Sequence, residues 1–156
     1  MTYVFDTSSF IVLGHFFPER FPSFWELFDS EVSNGRIVSV REVYLELDNQ
    51  ISRPHLREWV DRNKHIFLTP GPAESAFLAE IFAISHFRQL LSQKQILKAT
   101  PVADPFIIAS AKIRGACVVT EEVAKKNAAK IPNVCEHFGV SCTNIEGFMQ
   151  REKWKF

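Results

Sequence analysis

Five acids stand at positions where a folded chain could do phosphoryl chemistry: Asp6, Glu46, Asp104 and the neighbours Glu121 and Glu122. Carboxylates packed together without compensation repel one another and raise each other's pKa. A divalent cation relieves that conflict. Mg2+ and Mn2+ prefer hard oxygen ligands, and Mg2+ keeps several waters that a substrate can displace. Two such ions about 3.5–4 Å apart activate a water and steady the leaving oxygen of a phosphodiester. That chemistry needs no His, Cys or Lys nucleophile.

Each acid also has a plainer use. Asp104 before Pro105 reads as an N-cap with proline at the first helical position. Asp6, beside Thr7 and Ser8, reads as a cap of the first helix. Glu121 and Glu122 suit the positive end of a helix dipole. Glu42 and Glu46, four residues apart, can share a solvated helix face.

The elements decide between these uses. Tyr3-Val4-Phe5 reads as a short buried strand, followed by a helix from the Asp6-Thr7-Ser8-Ser9 cluster through Phe16 and stopped at Pro18. A second helix runs from Pro22 to Asn34-Gly35. Residues 36–40 form a strand leading directly into a helix from Arg41 to about Ile51, and another helix follows Pro54. Pro70-Gly71-Pro72 is a break. Ala73 to about Leu97 is helical in pattern, as two helices or one bent one, and Thr100-Pro101 ends it.

Asp104-Pro105 opens a helix to Gly115, and residues 116–120 are an apolar strand of the kind covered on both faces. A short helix near Val134 to Phe138, a strand at Val140 to Thr143 and a helix from Asn144 complete the chain. Strands alternating with helices predict a single α/β domain over residues 1–156, a three-layer α/β/α sandwich with a central, mostly parallel sheet. In such sheets the ligand crevice lies beyond the carboxyl ends of the strands. Asp6 follows the first strand and Glu121 and Glu122 follow the strand at 118–120, so both positions reach that edge. Glu46, about a turn and a half into its helix, and Asp104, which opens its own, can join them.

The chain has 156 residues, 18 Lys+Arg against 18 Asp+Glu, and no formal net charge. A global basic field is therefore excluded, and any nucleic acid must be met by local patches or bound cations. Lys125, Lys126 and Lys130 directly follow the last acids and are the better candidates for phosphate contact. Arg53, Arg57, Arg62 and Lys64 alternate with Glu58 and Asp61, a pattern that reads as a solvated face. The Phe and Trp residues between Phe16 and Phe28 read as core or a homodimer face, with base stacking as the alternative.

The three cysteines, an odd count with no secretory leader, predict reduced thiols and a soluble, cytoplasmic protein. No apolar run reaches membrane-spanning length. His15, His55, His65, His86 and His137 show no ligand spacing, and no glycine-rich phosphate loop is present.

Taken together, these residues resemble the PIN-domain family of metal-dependent ribonucleases, which includes many toxins of toxin–antitoxin pairs. Val4-Phe5-Asp6-Thr7-Ser8 looks like its first motif, and Ser39 to Glu46-Leu47 is similar to its second. Asp104 through Ala111 looks like the third, and Val118-Val119-Thr120-Glu121-Glu122 resembles the fourth. The tail from Lys130 looks like a PIN subgroup of unknown function.

The resemblance implies a Mg2+- or Mn2+-dependent endoribonuclease with Asp6, Glu46, Asp104 and Glu122 as catalytic metal ligands and Glu121 as the rival fourth acid. It implies supporting hydroxyls at Thr7, Ser8 or Thr120, RNA contact at Lys125 and Lys126, and an antitoxin as partner. The family more often has Asp at the fourth position. That Glu, with the zero net charge, leaves open a catalytically inactive PIN-fold module binding RNA or protein. A phosphohydrolase of small esters is the third reading. Against it, Asp6 has no second Asp two residues on.

Overall fold

A computed structural model of the chain describes residues 1–91 and 102–156. Strands β1 (Tyr3–Phe5), β2 (Ile37–Val40), β3 (Phe67–Leu68), β4 (Cys117–Val119) and β5 (Cys142–Thr143) form one sheet in the order β3-β2-β1-β4-β5. Every pairing is parallel, with Val4 opposite both Val38 and Val118. The central strands β1 and β4 are buried throughout, as a sheet covered on both faces requires.

The helices are α1 (Thr7–Leu13), α2 (Pro22–Ser33), α3 (Arg41–Gln50), α4 (Pro54–Arg62), α5 (Pro72–Ala83), α6 (Asp104–Arg114), α7 (Ile131–Phe138) and α8 (Ile145–Arg151). Proline sits in the first turn of α2, α4, α5, α6 and α7, where its missing N–H costs nothing and its fixed φ starts the helix. Gly115 and Gly139, at φ 62° and 66°, end α6 and α7 in the left-handed region and turn the chain toward β4 and β5.

Side chains alternate across the sheet. Tyr3 and Phe5 face one layer, where Phe5 meets Phe10 of α1, Phe28 of α2 and Phe148 of α8 at ring separations of 5.3–5.6 Å. Trp59 of α4 packs on Phe10 and Phe28 in the same layer. Helices α5, α6 and α7 cover the other face, and Phe77 packs on Phe138 at 5.1 Å to join α5 to α7. The architecture is thus the expected three-layer α/β/α fold. Among the described residues no helix is long and apolar enough to cross a membrane.

Several local expectations change. Helix α1 stops at Leu13, and residues 14–16 continue only as successive turns, with Phe16 N–H donating to the Leu13 carbonyl. Strand β3 is absent from the sequence pattern, because two residues are too short to show alternation. Helix α5 ends at Ala83 and a 3-10 segment, Ser85–Leu90, follows. The expected continuation to Leu97 and the Thr100-Pro101 break lie outside the described residues. Helix α7 begins at Ile131, earlier than the expected Val134, because Pro132 can occupy its first turn.

Candidate metal centre

The chain runs from β1 outward to β2 and β3, then crosses back to β4 and β5 on the other side. The reversal point lies between β1 and β4, and the crevice of an open α/β sheet forms at such a point. Asp6 leaves the end of β1 there, and Thr120, Glu121 and Glu122 leave the end of β4. The Asp6 N–H donates to the Val119 carbonyl at 3.0 Å, so the two strand ends are tied together.

Asp6 is 4% exposed and does cap α1, accepting from Ser9 N–H at 2.8 Å. It does more than cap. Ser8 Oγ donates to its carboxylate at 2.9 Å, and Thr120 Oγ1 donates to Oδ2 at 2.5 Å. Those hydroxyls in turn accept from the next strand end: Glu121 N–H donates to Ser8 Oγ at 3.0 Å and Glu122 N–H to Thr120 Oγ1 at 3.1 Å. Burial pushes the Asp6 carboxyl above its ordinary range, and these donors oppose the shift.

Glu46 lies on α3 and reaches α1 and α6 together. Its Oε2 accepts from Thr7 Oγ1 at 2.5 Å and its Oε1 from Ala103 N–H at 3.1 Å. Asp104 is not the N-cap of α6. Ala103 holds that place with no side-chain cap, and Asp104 is the first helical residue. Glu46 supplies the acceptor at this helix start instead, which leaves the Asp104 side chain for other work.

The surroundings of Asp104 report what gathers at the crevice. Its carboxyl is pushed up to about 7 by burial, and then by the negative charges of Glu122, Glu46 and Asp6 in that order; Lys130 opposes the shift. Four acids from four separate segments therefore act on one another there, with Lys130 opposing them.

Glu121 and Glu122 part company. Glu121 Oε1 accepts from Ile145 N–H at 2.9 Å, at the start of α8, and Glu121 is not among the charges acting most on Asp104. Glu122 Oε2 accepts from Ile131 N–H at 2.9 Å, at the start of α7, and its charge acts on Asp104 more than that of any other acid. Lys125 and Lys126 are exposed on the loop beyond. Asn133 pins that loop: its Oδ1 accepts from Lys125 N–H at 3.2 Å, and its Nδ2 donates to the Lys125 carbonyl at 2.9 Å.

Sequence reasoning singled out neither Ser9 nor Asn133 as functional, and it named Lys130 only as a phosphate contact. Ser9 carried a usable signal, three residues after a capping Asp. The clasp by Asn133 carried none.

The donors at the crevice are all hard oxygens, the set that Mg2+ and Mn2+ accept. Among the described residues no three His, Cys, Asp or Glu side chains already stand close enough to enclose an ion.

A family model described as "Domain of unknown function (DUF4411)" matches residues 3–156. The fold is similar to that of the crystal structure of PAE2754 from Pyrobaculum aerophilum. The TM-score is 0.53 at 12% identity, over 97% of this chain and 88% of that one. No curated protein matches.

Proposed function

The chain belongs to the DUF4411 family, a domain of unknown function, and we propose that it is a Mg2+- or Mn2+-dependent endoribonuclease with a PIN-like active site. The observation that carries this reading is the meeting of acids at the sheet's reversal point: Asp6 is hydrogen-bonded to Thr120, two residues before Glu122, and Glu46 to Thr7, beside Asp6, and to Ala103, beside Asp104. Asp6 and Asp104 would hold the cation, with Glu46 and Glu122 completing its negative surroundings. A bound ion of this kind supplies charge for the scissile phosphate and lowers the pKa of an attacking water. Thr120 and Ser8 fix the Asp6 carboxylate, and Thr7 fixes that of Glu46. Exposed Lys125 and Lys126, with Lys130 whose charge acts on Asp104, would meet backbone phosphates. The role of toxin, with an antitoxin as partner, belongs to the same reading.

The test is cleavage of a fluorescent single-stranded RNA with Mn2+, Mg2+ or EDTA. Asp6→Asn and Asp104→Asn should each lower the Mn2+-dependent rate at least a hundredfold while the thermal unfolding midpoint is kept. Unchanged rates in both variants would sink the assignment.

A second reading, a binding module without catalysis, draws on a different fact. Glu46 and Glu122 each already spend an oxygen on a helix start. If that engagement leaves no room for an ion, calorimetry will show no saturable Mn2+ site.

A further inference from the structure

Helices α1 and α3 run on side by side beyond the Thr7–Glu46 contact. One turn further along each, Ile11 and Gln50 line a cavity of about 180 Å3 that His15, Arg53 and Leu56 also border. The Arg53 side chain is seated there by its neighbours. A Cβ on Gly14 would stand 3.0 Å from Arg53 Cδ, so the glycine leaves the space that the stem occupies. Arg53 Nη2 lies 3.3 Å from His15 Nδ1.

The guanidinium carbons of Arg53 and Arg20 each lie 5.4 Å from the ring centroid of Phe17, which is 36% exposed. Cation–π attraction to a shared ring holds two like charges together. Among the described residues, the ion pairs are made by Arg36, Arg41, Arg57 and Arg114, and neither Arg20 nor Arg53 has a carboxylate partner. Glu19, exposed in the same loop, pairs with neither.

In a chain with no net charge, two adjacent unpaired guanidiniums are a local feature that calls for an anion. Arginine's planar fork suits phosphate oxygens in particular. His15 and Arg53 stand eight and seven residues beyond Thr7 and Glu46, which at 1.5 Å per residue puts the patch on the order of 10 Å from the Thr7–Glu46 contact. A chain of phosphates entering the acidic centre can reach both places.

We infer that the Arg20–Phe17–Arg53 face, with His15, is the track on which a single-stranded RNA continues past the acidic centre, its backbone phosphates held by the two guanidiniums. This inference rests on the ribonuclease reading. A groove between two neighbouring helices admits a flexible single strand, whose backbone can follow it, better than a rigid duplex.

The experiment measures anisotropy of a labelled single-stranded oligoribonucleotide across a salt series in Mg2+. Proteins carry Asp104→Asn so that binding is read without cleavage. Adding Arg20→Gln and Arg53→Gln together should weaken binding about tenfold or more. The same pair should cut the slope of log K against log salt by about 1.4, or ~0.7 for each phosphate no longer neutralised. Both side chains reach solvent, and an unchanged unfolding midpoint will show that the fold is kept.

RNA that is bound and cleaved by the wild type, with affinity and slope unmoved by the pair, overturns the inference and leaves the ribonuclease standing. Failure of the wild type to bind RNA at all overturns both. Unmoved RNA affinity with a changed oligomeric state in size-exclusion chromatography assigns the face to a protein contact, which also overturns the inference.

Discussion

At the residue scale, the acids other than Glu46 were legible because each sits beside an element boundary that the sequence announces. Asp6 follows an apolar triplet and precedes hydroxyl residues, and Glu122 follows Thr120 by two. What could not be read was the division of labour. Glu42 and Glu46 are equivalent in spacing, and Glu42 is the more buried, yet it pairs with Arg41 at 3.0 Å while Glu46 reaches Thr7 and Ala103. Asp104 looked like a cap because Asp-Pro is a strong local signal. The cap was displaced by an acid 58 positions earlier in the chain, which no local rule can foresee. The resulting prediction concerns metal affinity. Titration with Mn2+ should raise the unfolding midpoint of the wild type, by the equivalent of about 2.7 kcal/mol at a hundred times the dissociation constant. In Asp104→Asn the rise should be absent. A midpoint that climbs equally in both proteins places the ion elsewhere.

At the element scale, three acids each accept from the backbone at a helix start: Glu46 at α6, Glu122 at α7 and Glu121 at α8. The positive ends of these helices are thereby brought to the acidic crevice, where their partial charge offsets some of the repulsion. This arrangement separates the two neighbouring glutamates. Glu121→Ala should cost about 1 kcal/mol in denaturant unfolding, as the loss of a capping acceptor does, with Mn2+-dependent cleavage within a few-fold of wild type. Glu122→Ala should carry a similar stability cost together with loss of cleavage. Equal cleavage by the two variants would remove Glu122 from the centre. The helices themselves were largely legible, since prolines mark five of their first turns. Strand β3 was not, because its two residues owe their extended form to pairing with Ser39 and Val40 rather than to any pattern of their own.

At the scale of the whole molecule, the fold class followed from alternation of strand and helix, but the tie between the chain's two ends did not. Arg36, just before β2, donates to both oxygens of Glu152 at 2.8 Å, and Tyr3 Oη donates to the same carboxylate at 2.6 Å. Burial raises the Glu152 carboxyl, yet the Tyr3 and Arg36 hydrogen bonds outweigh it and leave the group below its ordinary value of 4.5. A depressed folded-state pKa contributes stability that is complete above the unfolded value and is lost as pH falls through the folded one. Glu152→Gln should therefore be less stable than wild type at pH 7. The gap should narrow as pH drops below about 4.5, read by urea unfolding at each pH. A gap independent of pH would mean that the cluster acts through packing alone.

The position of β1 has a further consequence for how the protein is made. Of the five strands of this sheet the central one is made first, and its two neighbours are encoded 34 and 114 residues later, as the pairing of Tyr3 with Ile37 and Cys117 shows. Contacts this distant in sequence form late, because the intervening chain must first be ordered. Asp6 and Glu46 are synthesised first but cannot be joined by Asp104 and Glu122 until more than a hundred residues of this domain exist. A translating ribosome thus carries a chain whose acidic centre is unassembled, and any activity housed there begins only after Glu122 has emerged.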